Sequence, residues 1–177
     1  MRLGVRIVIS SLLPLVLVGC GAGADLRFPV PLGKTRSAAE GSLEKQKFCR
    51  HEPRQMQSQS YVRCHTKGFA VGEAWLVVDY SEEQKVVRVR RMEHYPTHAE
   101  ATKRWNALVA ERSEELGAES EAARDSMASM GEAPVGAVVW KVWRKGNSGH
   151  ILGLYLVKPD EADDPNVVEV LRRDSAR

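Results

Sequence analysis

KVVRVRRMEHYPTHAEATKRW, residues 85–105, changes its period half-way along, and the change decides the fold. From Lys85 to Met92 the residues alternate, Val87 and Val89 against Arg88 and Arg90, as in a half-buried strand. After Pro96 the spacing turns helical. Thr97 with Glu100 three residues on is a capping box. Ala101, Trp105, Leu108, Val109 and Leu116 then recur along one helix face. Glu100 and Arg104 form an i,i+4 pair, Gly117 stops the helix, and Arg112 reads as a surface residue.

Strands surround this junction. Tyr61 to Lys67 alternates, and Phe69 to Tyr80 holds Ala74-Trp75-Leu76-Val77-Val78, a strand covered on both faces. Ser81 to Gln84 is a polar link of hairpin length, giving a three-stranded meander. Beyond the helix, Glu119 to Met130 reads as a second, weaker helix ended by Gly131 and Pro134. Val135 to Arg144 and Ile151 to Val157 are strands around a glycine-bearing turn at residues 145–149. The order is β-β-β-α-(α)-β-β. It implies an α+β domain, an antiparallel sheet of about five strands with the capped helix on one face, spanning residues 48–158. Residues 20–47 lack apolar periodicity and read as a tether, with strand character only at Leu26 to Leu32. Residues 159–177 read as an acidic linker (Asp160, Glu161, Asp163, Asp164) and a short terminal helix capped at Asp164-Pro165 and running through Arg173.

The first residues carry a different signal. Arg2 and Arg6 precede an apolar run, Ile7 to Val18, followed by small residues. A membrane-spanning helix needs about 20 apolar residues, and Pro14 interrupts this shorter run. Leu17-Val18-Gly19-Cys20 closely resembles the lipobox of bacterial lipoproteins. The resemblance implies a signal peptide over residues 1–19, acylation of Cys20 (palmitate among the chains) and anchoring of the domain to a membrane. By the family's sorting rule, Gly21 in place of Asp favours the outer membrane, with the domain on its periplasmic side.

Cleavage before Cys20 leaves 158 of the 177 residues, enough for one domain. Of 26 Lys and Arg, two leave with the signal peptide, so 24 stand against 23 acidic residues. That balance gives no argument for nucleic acid. Cys49 and Cys64 remain, and an even pair in an oxidising compartment reads as a disulfide. The rival is a metal site using His51 and His65, but the usual C-x₂₋₄-C and H-x₃₋₅-H spacings are missing.

No phosphate-binding glycine loop and no G-x-S-x-G nucleophile elbow is present. The richest cluster is Glu93-His94-Tyr95-Pro96-Thr97-His98, yet Pro96 and the helix start keep the two imidazoles off a common helix face. It reads as a solvated junction, and no catalytic residue, metal ligand or cofactor is assigned. Arg88 and Arg90 share one strand face, with Lys141 and Arg144 expected on a neighbouring strand. Guanidinium groups suit the phosphates and carboxylates of envelope lipids and polymers. Trp140 and Trp143 are three apart, so a regular strand points them to opposite faces. Trp143 joins Arg88 and Arg90 as the expected binding face. The expectation is therefore a non-catalytic envelope lipoprotein that binds a protein or polymer of the envelope. An inhibitor of an exogenous hydrolase is the alternative, by analogy with other small disulfide-bearing lipoproteins, and a metal-assisted enzyme at His94 and His98 ranks third.

Overall fold

A computed structural model of the chain describes residues 28–66, 68–132, 136–146, 148–158 and 165–174. The segment expected to be a signal peptide, Cys20 and the acidic run from Asp160 to Asp164 lie outside these residues. The elements are α1 (Arg36–Lys45), β1 (Phe48–Arg50), β2 (Ser58–Arg63), β3 (Trp75–Tyr80), β4 (Val86–His94), α2 (His98–Leu116), α3 (Glu121–Ser129), β5 (Ala137–Lys145), β6 (His150–Val157) and β7 (Asn166–Arg173). The class is α+β. One antiparallel sheet of seven strands, not five, runs in the order β1-β2-β3-β4-β7-β6-β5.

One additional strand comes from a segment read otherwise in the sequence, and one from a segment to which the sequence assigns no element. The expected terminal helix is β7, which inserts between β4 and β6. Asn166-Val167-Val168-Glu169-Val170-Leu171 is buried from Val167 to Leu171, so its apolar run serves both faces of the sheet. β-branched residues fit that pleated slot better than a helix. The other strand, β1, is three residues at the edge. The expected tether contains α1, whose cap Thr35 accepts the Ala38 amide at 3.4 Å. Its buried apolar contribution is only Ala39 and Leu43, which explains why no periodicity announces it. Phe28 and Val30 are also in the core, so the domain begins well before residue 48.

The capped helix takes the form its sequence implies. Thr97 accepts the Glu100 amide at 3.3 Å, and Gly117 at φ 81° ends α2. α2 lies over β5, β6 and β7 on one side, while α3 lies over β5 and β6 on the other. Two cores result. Trp105, Leu108 and Trp143 belong to the larger with Leu43, Leu76 and Leu154; Met127, Val142, Ile151 and Tyr155 belong to the smaller, under α3. Val87 is exposed, against expectation, because the register shifts between Asp79 and Tyr80 and Val86 takes the inward slot.

Candidate binding face

α3 covers only one end of its side of the sheet, so the β2-β3-β4 end carries no helix there among the described residues. Strand register lays three rows across it. Ser60, Val77, Arg90 and Val170 form one, and Ser58, Asp79, Arg88 and Arg172 form the next. Trp75, Met92 and Val168 form the third. Arg88 and Arg90 thus share the face expected of them.

The second row is an ion cluster. Arg88 Nη1 donates to both Glu132 oxygens at 2.7 and 2.8 Å, and its Nε donates to Asp79. Arg172 also donates to Glu132. Arg90 Nη2 reaches Asp79 at 3.4 Å, while its Nε is buried without a hydrogen-bond partner. Burial works against the Arg88 charge, but Asp79 and Glu132 more than offset it and hold its pKa above the usual value. Glu132 is aimed by the end of α3. The Gly131 amide donates to the Ala128 carbonyl and the Glu132 amide to the Met127 carbonyl, a Schellman pair with Gly131 at φ 65°.

Rings border the third row. His51 lies 4.6 Å from Phe69, Phe69 meets Trp75 edge-on at 3.8 Å, and Trp75 faces His94 at 6.5 Å. Phe69 is 42% exposed, enough to be offered to a partner. The Cys49–Cys64 disulfide is present beside them and ties β1 to the end of β2, Cys49 standing opposite Val62. His51 and Phe69 escaped sequence reasoning because both sit in loops, where spacing carries no facial information.

Trp143 does not belong to this face. It is wholly buried in the larger core, on the opposite side of the sheet. Its strand mate Trp140 is the one on the α3 side, stacked on Tyr155 at 5.8 Å with Arg124 over the ring. Lys141 and Arg144 do not adjoin Arg88 either, since β7 and β6 stand between β4 and β5. Lys141 pairs with Glu119 and Arg144 with Asp174.

The strand-to-helix junction has a separate geometry. Glu93 is 2% exposed and accepts from Arg104 Nε at 2.9 Å, from Tyr95 Oη at 2.5 Å and from Arg91 Nη2. Burial opposes its charge, but the Arg104 hydrogen bonds and the Arg91 charge win, holding the carboxyl below its usual range. Burial and Glu93 push the Tyr95 hydroxyl up to about 12. A carboxylate so committed is a poor proton carrier near neutrality. A groove of about 440 Å³ opens beside it, walled by Val71, Tyr95, Pro96 and Ala107. His98 is exposed at the start of α2, and His94 faces Trp75 instead. Among the described residues, no three His, Cys, Asp or Glu side chains are grouped to hold a metal ion. No helix among them is long and apolar enough to cross a membrane.

No family model, curated protein or solved structure significantly matches the chain.

Proposed function

We propose that this chain is an outer-membrane lipoprotein, acylated at Cys20, whose periplasmic domain binds another component of the cell envelope without catalysis. The binding surface is the uncovered end of the sheet, with Arg88 and Arg90 flanked by Trp75 and Phe69. The observation that carries the reading is the half-sheet itself, on which Arg90 is partly exposed and makes one long hydrogen bond, next to exposed rings. Arginine and aromatic side chains are favoured anchors at interfaces, and a guanidinium takes carboxylate or phosphate in a two-point grip. The lipobox resemblance of Leu17-Val18-Gly19-Cys20 supports the anchor.

A photo-crosslinking residue at Ser60 or Val77, compared with one at Glu114 on the outer face of α2, tests the surface in intact cells. A single adduct from the sheet positions, missing at Glu114 and lost on Arg90→Glu, is the expected result. Equal labelling from all three positions, or none from the sheet, rejects this face. For the anchor, Cys20→Ser is expected to leave the protein unprocessed and without acyl mass. A processed, lipid-bearing Cys20→Ser protein rejects it.

A further inference from the structure

Arg88 and Arg172 stand directly opposite each other across β4 and β7. Like charges in that position repel and need an anion between them. Of this pair, Arg88 meets Asp79 of the sheet; the anion that both share is Glu132, brought from the end of α3. Its carboxylate does not exhaust the donors around it. Arg172 Nε has no hydrogen-bond partner, and neither has the Tyr155 hydroxyl, on a residue with no solvent exposure. Tyr155 leans along β6 over Gly153, which is registered with Val170, toward the Ile151–Arg172 pair of the register, and burial, then Glu132, raise its pKa. Its ring lies against Gly153, where a Cβ would come within 2.7 Å of the hydroxyl. Yet Arg88 and Arg172 keep side-chain exposures of 30% and 23%, so the cluster opens to solvent.

A carboxylate has two oxygens, and Glu132 directs both at Arg88. An oxyanion with a third oxygen can also meet the donors now idle. We infer that Arg88 and Arg172, at the margin of the open sheet face beside α3, form a phosphate-binding site with the buried Tyr155 hydroxyl, which the chain fills with its own Glu132 until a ligand phosphate displaces it. The inference rests on the proposed binding face and names the ligand group that face recognises. Glu132 then acts as a stand-in ligand. It keeps the arginines paired and preorganised, and it lets a phosphate bind only by exchange.

The test is calorimetric titration of the full chain in a nonionic detergent. The probes are inorganic phosphate, glucose 1-phosphate and acetate at matched ionic strength. Weak millimolar binding of phosphate to the unaltered chain is expected. Glu132→Gln, which removes the competing charge and keeps the side-chain shape, should tighten it by about tenfold. Tyr155→Phe should weaken phosphate several-fold and leave acetate unchanged. Tighter binding of the sugar phosphate than of phosphate places the group on a larger envelope molecule, and equal binding points to free phosphate; both support the site. Absence of saturable phosphate binding to a folded Glu132→Gln chain overturns it, as does equal preference for acetate. Should Glu132→Gln not fold, the unaltered chain decides: a rise in melting temperature that saturates at millimolar phosphate supports the site, and no rise, or one that only grows steadily with salt as general exclusion does, overturns it. A phosphate failure leaves the crosslinking result at Ser60 and Val77 intact, so the two readings fall separately.

Discussion

Arg112 Nε, from the middle of α2, donates to Glu169 Oε1, from β7, at 2.9 Å, with both side chains all but sealed from water. The guanidinium also holds Glu115, one turn along the helix. Its charge reads as surface, but Arg112 stands four residues after Leu108 and seven after Trp105 on the buried row of α2, and it is a strut between the helix and an inner strand.

Arg112→Ala is accordingly expected to cost about 3 kcal/mol, because it breaks a buried ion pair and leaves the fully buried Glu169 to the longer Arg91 contact at 3.2 Å. A surface change would stay near 0.5 kcal/mol. Denaturant unfolding should rank Arg112→Ala beside Trp105→Ala, which costs about 3–5 kcal/mol through its cavity. Thr97→Ala should fall well below both, at about 1 kcal/mol for the lost cap. An Arg112→Ala value near that of the cap variant would place the pair in water.

Glu93 makes part of the stability pH-dependent. Its folded pKa lies below its unfolded one, so its contribution is fully present above the unfolded value and fades as pH falls through the folded value. The unfolded value is about 4.3. The gap in unfolding free energy between the unaltered chain and Glu93→Gln should therefore be constant above about pH 5 and close below about pH 4. A gap that stays constant to pH 3 would show that Glu93 is not held ionised by Arg91 and Arg104.

The disulfide joins residues 15 apart in sequence and should contribute about 3 kcal/mol by limiting the unfolded chain. Cys64→Ser should lower stability by about that amount. Peptide mapping without reductant should recover Cys49 and Cys64 in one linked species. Free alkylation of both thiols in protein from its native compartment would contradict the bond.

Arg36 is the least expected structural residue. It is 2% exposed, and its guanidinium donates to the Gln55 carbonyl at 2.6 Å, the Met56 carbonyl at 3.2 Å and Gln59 Oε1 at 3.2 Å. It also covers the Tyr80 ring at 4.5 Å. A lysine carries a charge but no planar fork, so Arg36→Lys should cost about 1–3 kcal/mol. Amide exchange should quicken over residues 51–57 while β6 stays protected. Unchanged exchange there would mean that Arg36 does not hold the loop.

Periodicity made α2, its cap and Val89 of β4 legible, because each belongs to an element with one wet face and one dry, while the bulge that turns Val86 in and Val87 out leaves no mark in the alternation. It failed where an element has two dry faces or almost none. Val167 to Leu171 is buried throughout, and such a run looks alike as helix or strand; α1 offers only Ala39 and Leu43. The site was half visible for a related reason. Arg88 and Arg90 follow from alternation within β4, but Arg172 and Glu132 meet Arg88 only because β7 inserts beside β4 and α3 ends above it. Trp143 was misplaced because alternation separates two faces without saying which one receives α2.

The burial of Phe28 shortens the leash. With Cys20 as the proposed lipid attachment, seven residues lie between it and Phe28, a span of about 29 Å at full stretch. A leash running to Phe48 would reach about 100 Å. A domain of this size is itself about 40 Å across. An anchor at Cys20, as proposed, would therefore hold the domain within one body-width of the bilayer, and a partner would have to reside in that membrane or come to it.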